Sequence, residues 1–162
     1  MTDPFWKTIP LAEMTEEQWE SLCDGCARCC LIKLEHPDDG EIVYTRVACQ
    51  YLNLKTCQCS DYPNRSKLEP FCVQLTVERI RQFTWLPETC AYRLLAEGKD
   101  LPTWHPLVSG DLASVIRAGI SMRGRVIRES EIDMETIEEY VIDTLDGQPQ
   151  QSQSNARRRH KR

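Results

Sequence analysis

CDGCARCC, residues 23–30, places Cys23, Cys26, Cys29 and Cys30 within eight positions. The reading of this run decides how the front half of the chain folds. Three chemistries compete for so dense a group of thiols: disulfides, a bound metal or cluster, and redox chemistry of the thiols themselves. On a straight helix, Cys23, Cys26 and Cys30 would share an arc of about 60°, yet Cys23 and Cys30 would stand roughly 10 Å apart along the axis. Zinc holds each sulfur at about 2.3 Å in a tetrahedron, so one ion cannot gather all four from such a helix. Either the chain turns inside the motif, for which Gly25 is well placed, or the four thiols serve more than one centre.

Four more cysteines follow, Cys49, Cys57, Cys59 and Cys72, and a ninth is Cys90. An odd count forbids complete internal pairing. The first thirty residues carry acidic side chains and no apolar stretch of secretory type, so cytoplasm is the expected location and reduced thiols the expected state. Grouped thiols in a reducing compartment hold metal more often than they pair. Each two-residue gap in the motif is one by which a tight turn aims two side chains at one point. The first three cysteines match the C-x2-C-x2-C run of [4Fe-4S] proteins, and the adjacent Cys30 departs from it. Neighbouring residues of an extended chain point opposite ways, so Cys29 and Cys30 serve different centres or one of them is structural. Cys57 and Cys59 would aim to one side if extended. The eight suffice for two four-thiolate zinc sites, or for one cluster and one zinc site; zinc and iron–sulfur stay open, since both take tetrahedral sulfur.

Beyond the thiols, the chemistry is sparse. Tyr62 and Arg65 in SDYPNR lie between Cys59 and Cys72, placed to cover the centre and offset thiolate charge. His105, in the turn-rich stretch after Gly98, either ties down backbone carbonyls or lines the site. Cys90 is either a small buried residue or a late ligand. The chain shows no G-x-G-x-x-G, no Walker loop and no paired carboxylates set for acid–base work, so an enzymatic role is left undecided. Asp38, Asp39 and Glu41 read as a turn, and the acids from Glu131 to Glu139 as a solvated helix face.

The fold class expected is α+β: a small single domain with an irregular cysteine-rich front half, one short hairpin and a helical back half. Residues 1–14 read as an extended arm. Thr15 reads as an N-cap with Gln18 completing a capping box, opening a short helix toward Cys23. Apolar stretches around Pro37-Asp38-Asp39-Gly40 predict a hairpin over 31–47. Val77, Ile80 and Phe83 recur at helical spacing. Pro87 can open a second helix that ends at Gly98, and Ile137, Tyr140, Val141 and Leu145 predict a last helix over 134–145. The domain spans 1–147, and 148–162 reads as a disordered basic tail.

The formal charge of −5 hides a split, because the last six residues, RRRHKR, hold five basic side chains. Without them, 15 basic residues face 25 acidic ones, and an acidic body repels phosphate backbones. Nucleic acid is therefore disfavoured as a partner except for weak contact by the tail. A membrane is disfavoured too, since no apolar run approaches the ~20 residues of a span, and a protein partner is the remaining expectation.

With its ligands laid out, the chain resembles a family of small bacterial cysteine-cluster proteins sharing a C-x2-C-x2-C-C motif and described as zinc or iron chelators without an established reaction. CDGCARCC at 23–30 and CQCSDYPNRSKLEPFC at 57–72 carry the resemblance, with TCAYRLL at 89–95 and WHPLVSGD at 104–111 in support. It implies a metal-chelating domain over roughly residues 5–145. The function expected is therefore a cysteine-ligated zinc or iron–sulfur protein, mainly structural or interactive. Electron transfer, enzyme assistance, a metallo-enzyme and a metal chaperone are the alternatives.

Overall fold

The computed structural model describes residues 2–69, 72, 74–143 and 145. In chain order its helices are α1 Phe5–Thr8, α2 Glu16–Ser21, α3 Arg65–Leu68, α4 Val77–Ile80, α5 Ala91–Ala96, α6 Pro106–Ser109 and α7 Ser114–Arg117. Its strands are β1 Leu31–Glu35, β2 Ile42–Ala48, β3 Leu52–Asn53, β4 Gln58–Cys59 and β5 Ile127–Arg128. The class is α+β, as expected. The chain groups into two compact units, Met1–Gly25 with Gln74–Ala118 and Cys26–Val73 with Gly119–Arg162. The boundary thus falls inside the cysteine motif. The expected basic tail, 148–162, lies outside the described residues.

The first unit is built on aromatic packing. Thr15 accepts from the N–H of Gln18 at 3.1 Å while Gln18 Oε1 accepts from the N–H of Thr15 at 3.0 Å, the capping box read from the sequence. That box starts α2, which delivers Trp19 and the fully buried Leu22 to a core with Ile80, Leu86, Ala91, Tyr92 and Leu101. The Trp19 and Tyr92 rings lie 4.8 Å apart, and the Tyr92 hydroxyl donates to the Trp19 carbonyl at 2.7 Å. The expected extended arm is instead α1 and a 3-10 turn at Leu11–Glu13. Its Phe5, Trp6 and Leu11 pack on the same core. The helix placed at Pro87 starts later: the N–H of Cys90 bonds to the Pro87 carbonyl in a turn, and α5 begins at Ala91. The left-handed Gly98, φ +76°, closes it as read.

The second unit is a three-stranded sheet in the order β1-β2-β5 with a small β3-β4 hairpin. β1 and β2 form the expected hairpin, antiparallel with Leu34 opposite Val43. Side chains alternate across a strand, and the two faces feed two cores. Ile32, Leu34 and Val47 pack with Ile137 and Val141, while Leu31 and Ala48 pack with Leu52, Met122 and Ile142. β5, parallel to β2, was not foreseen in a back half expected to be helical. The last segment also differs: Met134–Tyr140 is a 3-10 helix. Its tighter turn stacks residues three apart, which sets both Ile137 and Tyr140 on the sheet core. It stops there because Val141 bridges Thr45 and the N–H of Ile142 donates to the Tyr44 carbonyl at 3.0 Å. Sheet pairing wins over helix continuation.

Candidate metal centre

The cysteine motif turns, the first of the two arrangements its spacing allows. Gly25 and Ala27 both adopt left-handed backbone, φ +73° and +67°, and Arg28–Cys30 form a 3-10 turn leading into β1. Arg28, almost fully buried, anchors this turn by donating from Nε to the Ile120 carbonyl at 2.9 Å and from Nη2 to Leu145 at 3.1 Å. Lys33 Nζ holds the other side, donating to the carbonyls of Cys29 and Leu31 at 3.0 and 2.8 Å.

The end of β2 is where donors gather, and sheet register does the gathering. Antiparallel pairing sets Ala48 opposite Leu31, and the N–H of Cys49 donates to the Cys30 carbonyl at 2.9 Å. Parallel pairing sets Ala48 beside Arg128, so the next residues, Cys49 and Glu129, come alongside. Glu129 Oε1 accepts from the N–H of Gln50 at 3.1 Å. A turn closed by the N–H of Leu52 on the Cys49 carbonyl, 3.0 Å, leads into β3, where Leu52 pairs with Cys59. Beyond α3, the N–H of Cys72 donates to the Glu69 carbonyl at 2.9 Å. Among the described residues, Cys49, Glu69 and Glu129 offer ligand atoms all within 4.8 Å of one another.

Five of the thiols lie within electrostatic reach of one another. The Cys30 thiol is pushed far above its ordinary value by its hydrogen bond with Cys29, then by burial, then by the charges of Cys29 and Cys49. Burial raises Cys49, opposed by the backbone N–H of Tyr51, and Glu129, Glu69 and Cys59 add to the rise. Cys72 is raised by burial and by Cys29, Cys49 and Cys59, while Arg65 pulls it down. Cys29, Cys30, Cys49, Cys59 and Cys72 therefore form one electrostatic cluster with two carboxylates beside it. Arg65 also lies 3.7 Å over the Tyr62 ring and donates to the Tyr62 carbonyl at 2.8 Å, which joins both residues to this neighbourhood.

The remaining expected residues have the following settings. Cys57 is not extended: its φ is +58°. Its buried sulfur sits 3.8 Å from Ser121 Oγ in the apolar core, so it does not share a direction with Cys59. Cys26 is half-buried, with its carbonyl accepting from the N–H of Met122 at 2.9 Å. Cys23 is exposed and belongs to the first unit. Cys90 is the N-cap of α5 and packs on the aromatic core. His105, fully buried in the first unit, accepts at Nδ1 from the N–H of Leu107, 3.0 Å, which leaves Nε2 to donate to the Leu22 carbonyl at 2.8 Å. Both nitrogens are thereby used on backbone, the first of its two sequence readings. Glu69 and Glu129 were missed, because neither has a motif: strand register brings in Glu129 and the end of α3 carries Glu69.

The donor set fits a chelated metal. Thiolates suit zinc and iron–sulfur centres, and carboxylates are accepted by zinc as well. Residues 22–91, which hold Cys23 to Cys90, match the CxxCxxCC family, described as "Putative zinc- or iron-chelating domain". Among curated relatives, a UPF0260 protein of Rhizobium etli (strain CIAT 652) is 58% identical over 86% of this chain and 89% of its own length. One from Parvibaculum lavamentivorans is 54% identical over 88% and 95%, and one from Ectopseudomonas mendocina 55% identical over 87% and 95%. No solved structure matches the chain. On these similarities, carried along nearly its whole length, the chain belongs to the UPF0260 family, with the CxxCxxCC domain at residues 22–91.

Proposed function

We propose that this protein is a cysteine-ligated metalloprotein whose centre builds the second unit and presents a surface to a protein partner. The observation that supports it best is the convergence of Cys29, Cys30, Cys49, Cys59 and Cys72 at one end of the sheet, where burial and mutual repulsion raise Cys30, Cys49 and Cys72. Without a cation these thiols stay protonated, and buried thiols compete poorly for partners. A bound metal replaces the protons and offsets the charge of the thiolates it gathers. The strands and helices nearest the thiols run to only two and four residues, so coordination adds to what packing supplies. No described helix is long and apolar enough to cross a membrane.

Zinc is the favoured ion. An iron–sulfur centre used in electron transfer or beside an enzyme is the second reading, supported by the two-residue gaps of Cys23, Cys26 and Cys29. Anaerobic purification followed by analysis of zinc, iron and acid-labile sulfide separates them. A colourless protein with stoichiometric zinc supports the first, whereas a brown protein with iron and sulfide overturns it in favour of the second.

A further inference from the structure

We propose that Glu69 and Glu129 are oxygen donors to the metal bound by Cys49, making this end of the centre a mixed thiolate–carboxylate site for a divalent cation such as zinc or ferrous iron. The inference deepens the metal-binding reading and rests on it.

Geometry carries the argument. The edge of a tetrahedral site with these donors is roughly 3.3–3.8 Å, from metal–oxygen and metal–sulfur distances of about 2.0–2.3 Å. Ligand atoms that already lie within 4.8 Å of one another close onto one ion by side-chain movement alone. Position is fixed by backbone, not by flexible loops: Cys49 and Glu129 continue the β2-β5 register, and Glu69 follows α3 with its N–H on the Arg65 carbonyl at 2.9 Å. Solvated acidic groups are common on protein surfaces and mean little there. Glu69 differs, being only 9% exposed, and a carboxylate is taken from water beside thiols at a cost that a cation offsets. The N–H of Gln50 orients Glu129 from behind, as supporting hydrogen bonds do for metal-binding carboxylates. Carboxylate oxygen is a harder donor than thiolate and is not the ligand set of a four-cysteine cluster, so at this end a single ion is favoured.

The test uses the full chain loaded with zinc alone. X-ray absorption at the zinc edge should show oxygen as well as sulfur neighbours. Competition with a chromophoric chelator should show zinc bound about tenfold more weakly in Glu69→Gln and in Glu129→Gln, and about a hundredfold more weakly in the double variant. Glutamine keeps the size of the side chain, and circular dichroism of the zinc-loaded forms checks the fold. A sulfur-only shell in the unaltered protein, with both variants binding as tightly as it does, overturns this inference and leaves the thiol centre standing. Failure of the unaltered protein to bind either zinc or ferrous iron overturns both.

Discussion

The two units of this chain are stabilised by opposite means. All four tryptophans, Trp6, Trp19, Trp85 and Trp104, lie in the unit formed by Met1–Gly25 and Gln74–Ala118. Seven of the nine cysteines lie in the other. In the first, a cluster of large side chains removes apolar surface from water, worth about 1.5–3 kcal/mol per fully buried side chain. In the second, two apolar cores form on the sheet, and polar donors crowd the end of the sheet beside strands of only two residues. The contrast teaches where each unit is vulnerable: one to cavities, the other to loss of metal.

The largest effect should come from chelation. Structural zinc contributes about 10–16 kcal/mol of apparent binding free energy in small zinc domains, more than most domains have to spare. Removing metal should abolish the ordered structure of the second unit by circular dichroism, and leave tryptophan emission, which reports the first unit, nearly unchanged. A blue-shifted emission that collapses together with the sheet would erase the distinction between the units. Next, Cys49→Ser should lower metal content and thermal stability together. Cys90→Ser should retain the metal and change stability by less than about 1 kcal/mol, since serine is a good N-cap. Equal metal loss in both variants would join Cys90 to the centre. Leu22→Ala should cost about 3 kcal/mol through the cavity it leaves, seen by denaturant unfolding followed through tryptophan, at an unchanged metal load.

The pH dependence should follow from the same thiols. Cys30, Cys49 and Cys72 are raised from an ordinary value of 9.0, so a metal must displace their protons to bind. Metal affinity should therefore fall on acidification, seen by chelator competition across pH, as protons compete for sulfur. A further small effect is local: Thr15→Ala should cost about 1 kcal/mol by removing the cap of α2, with no change in metal.

Much of this was legible because it is local. The capping box at Thr15 and Gln18 and the hairpin around Pro37–Gly40 depend on near neighbours, and both stand as read. The thiols could be identified by type and spacing, and Gly25 signalled the turn inside the motif. Glu129 could not be found this way, because its approach to Cys49 follows from a parallel pairing of strands some eighty residues apart. Nor could the departure of Cys57, which a left-handed backbone angle rotates into the core. The last helix gave way to a 3-10 turn because pairing of Val141 with Thr45 outweighs propensity, a tertiary effect that periodicity does not carry.

Hydrogen exchange on metal-loaded and metal-free protein tests the central claim most directly. The amides of Cys30, Cys49, Leu52 and Cys72, all bonded within the thiol neighbourhood, should be protected only with metal bound and regain protection when it is restored. Equal protection in both states would mean that the thiols gather without metal, and the account would be wrong.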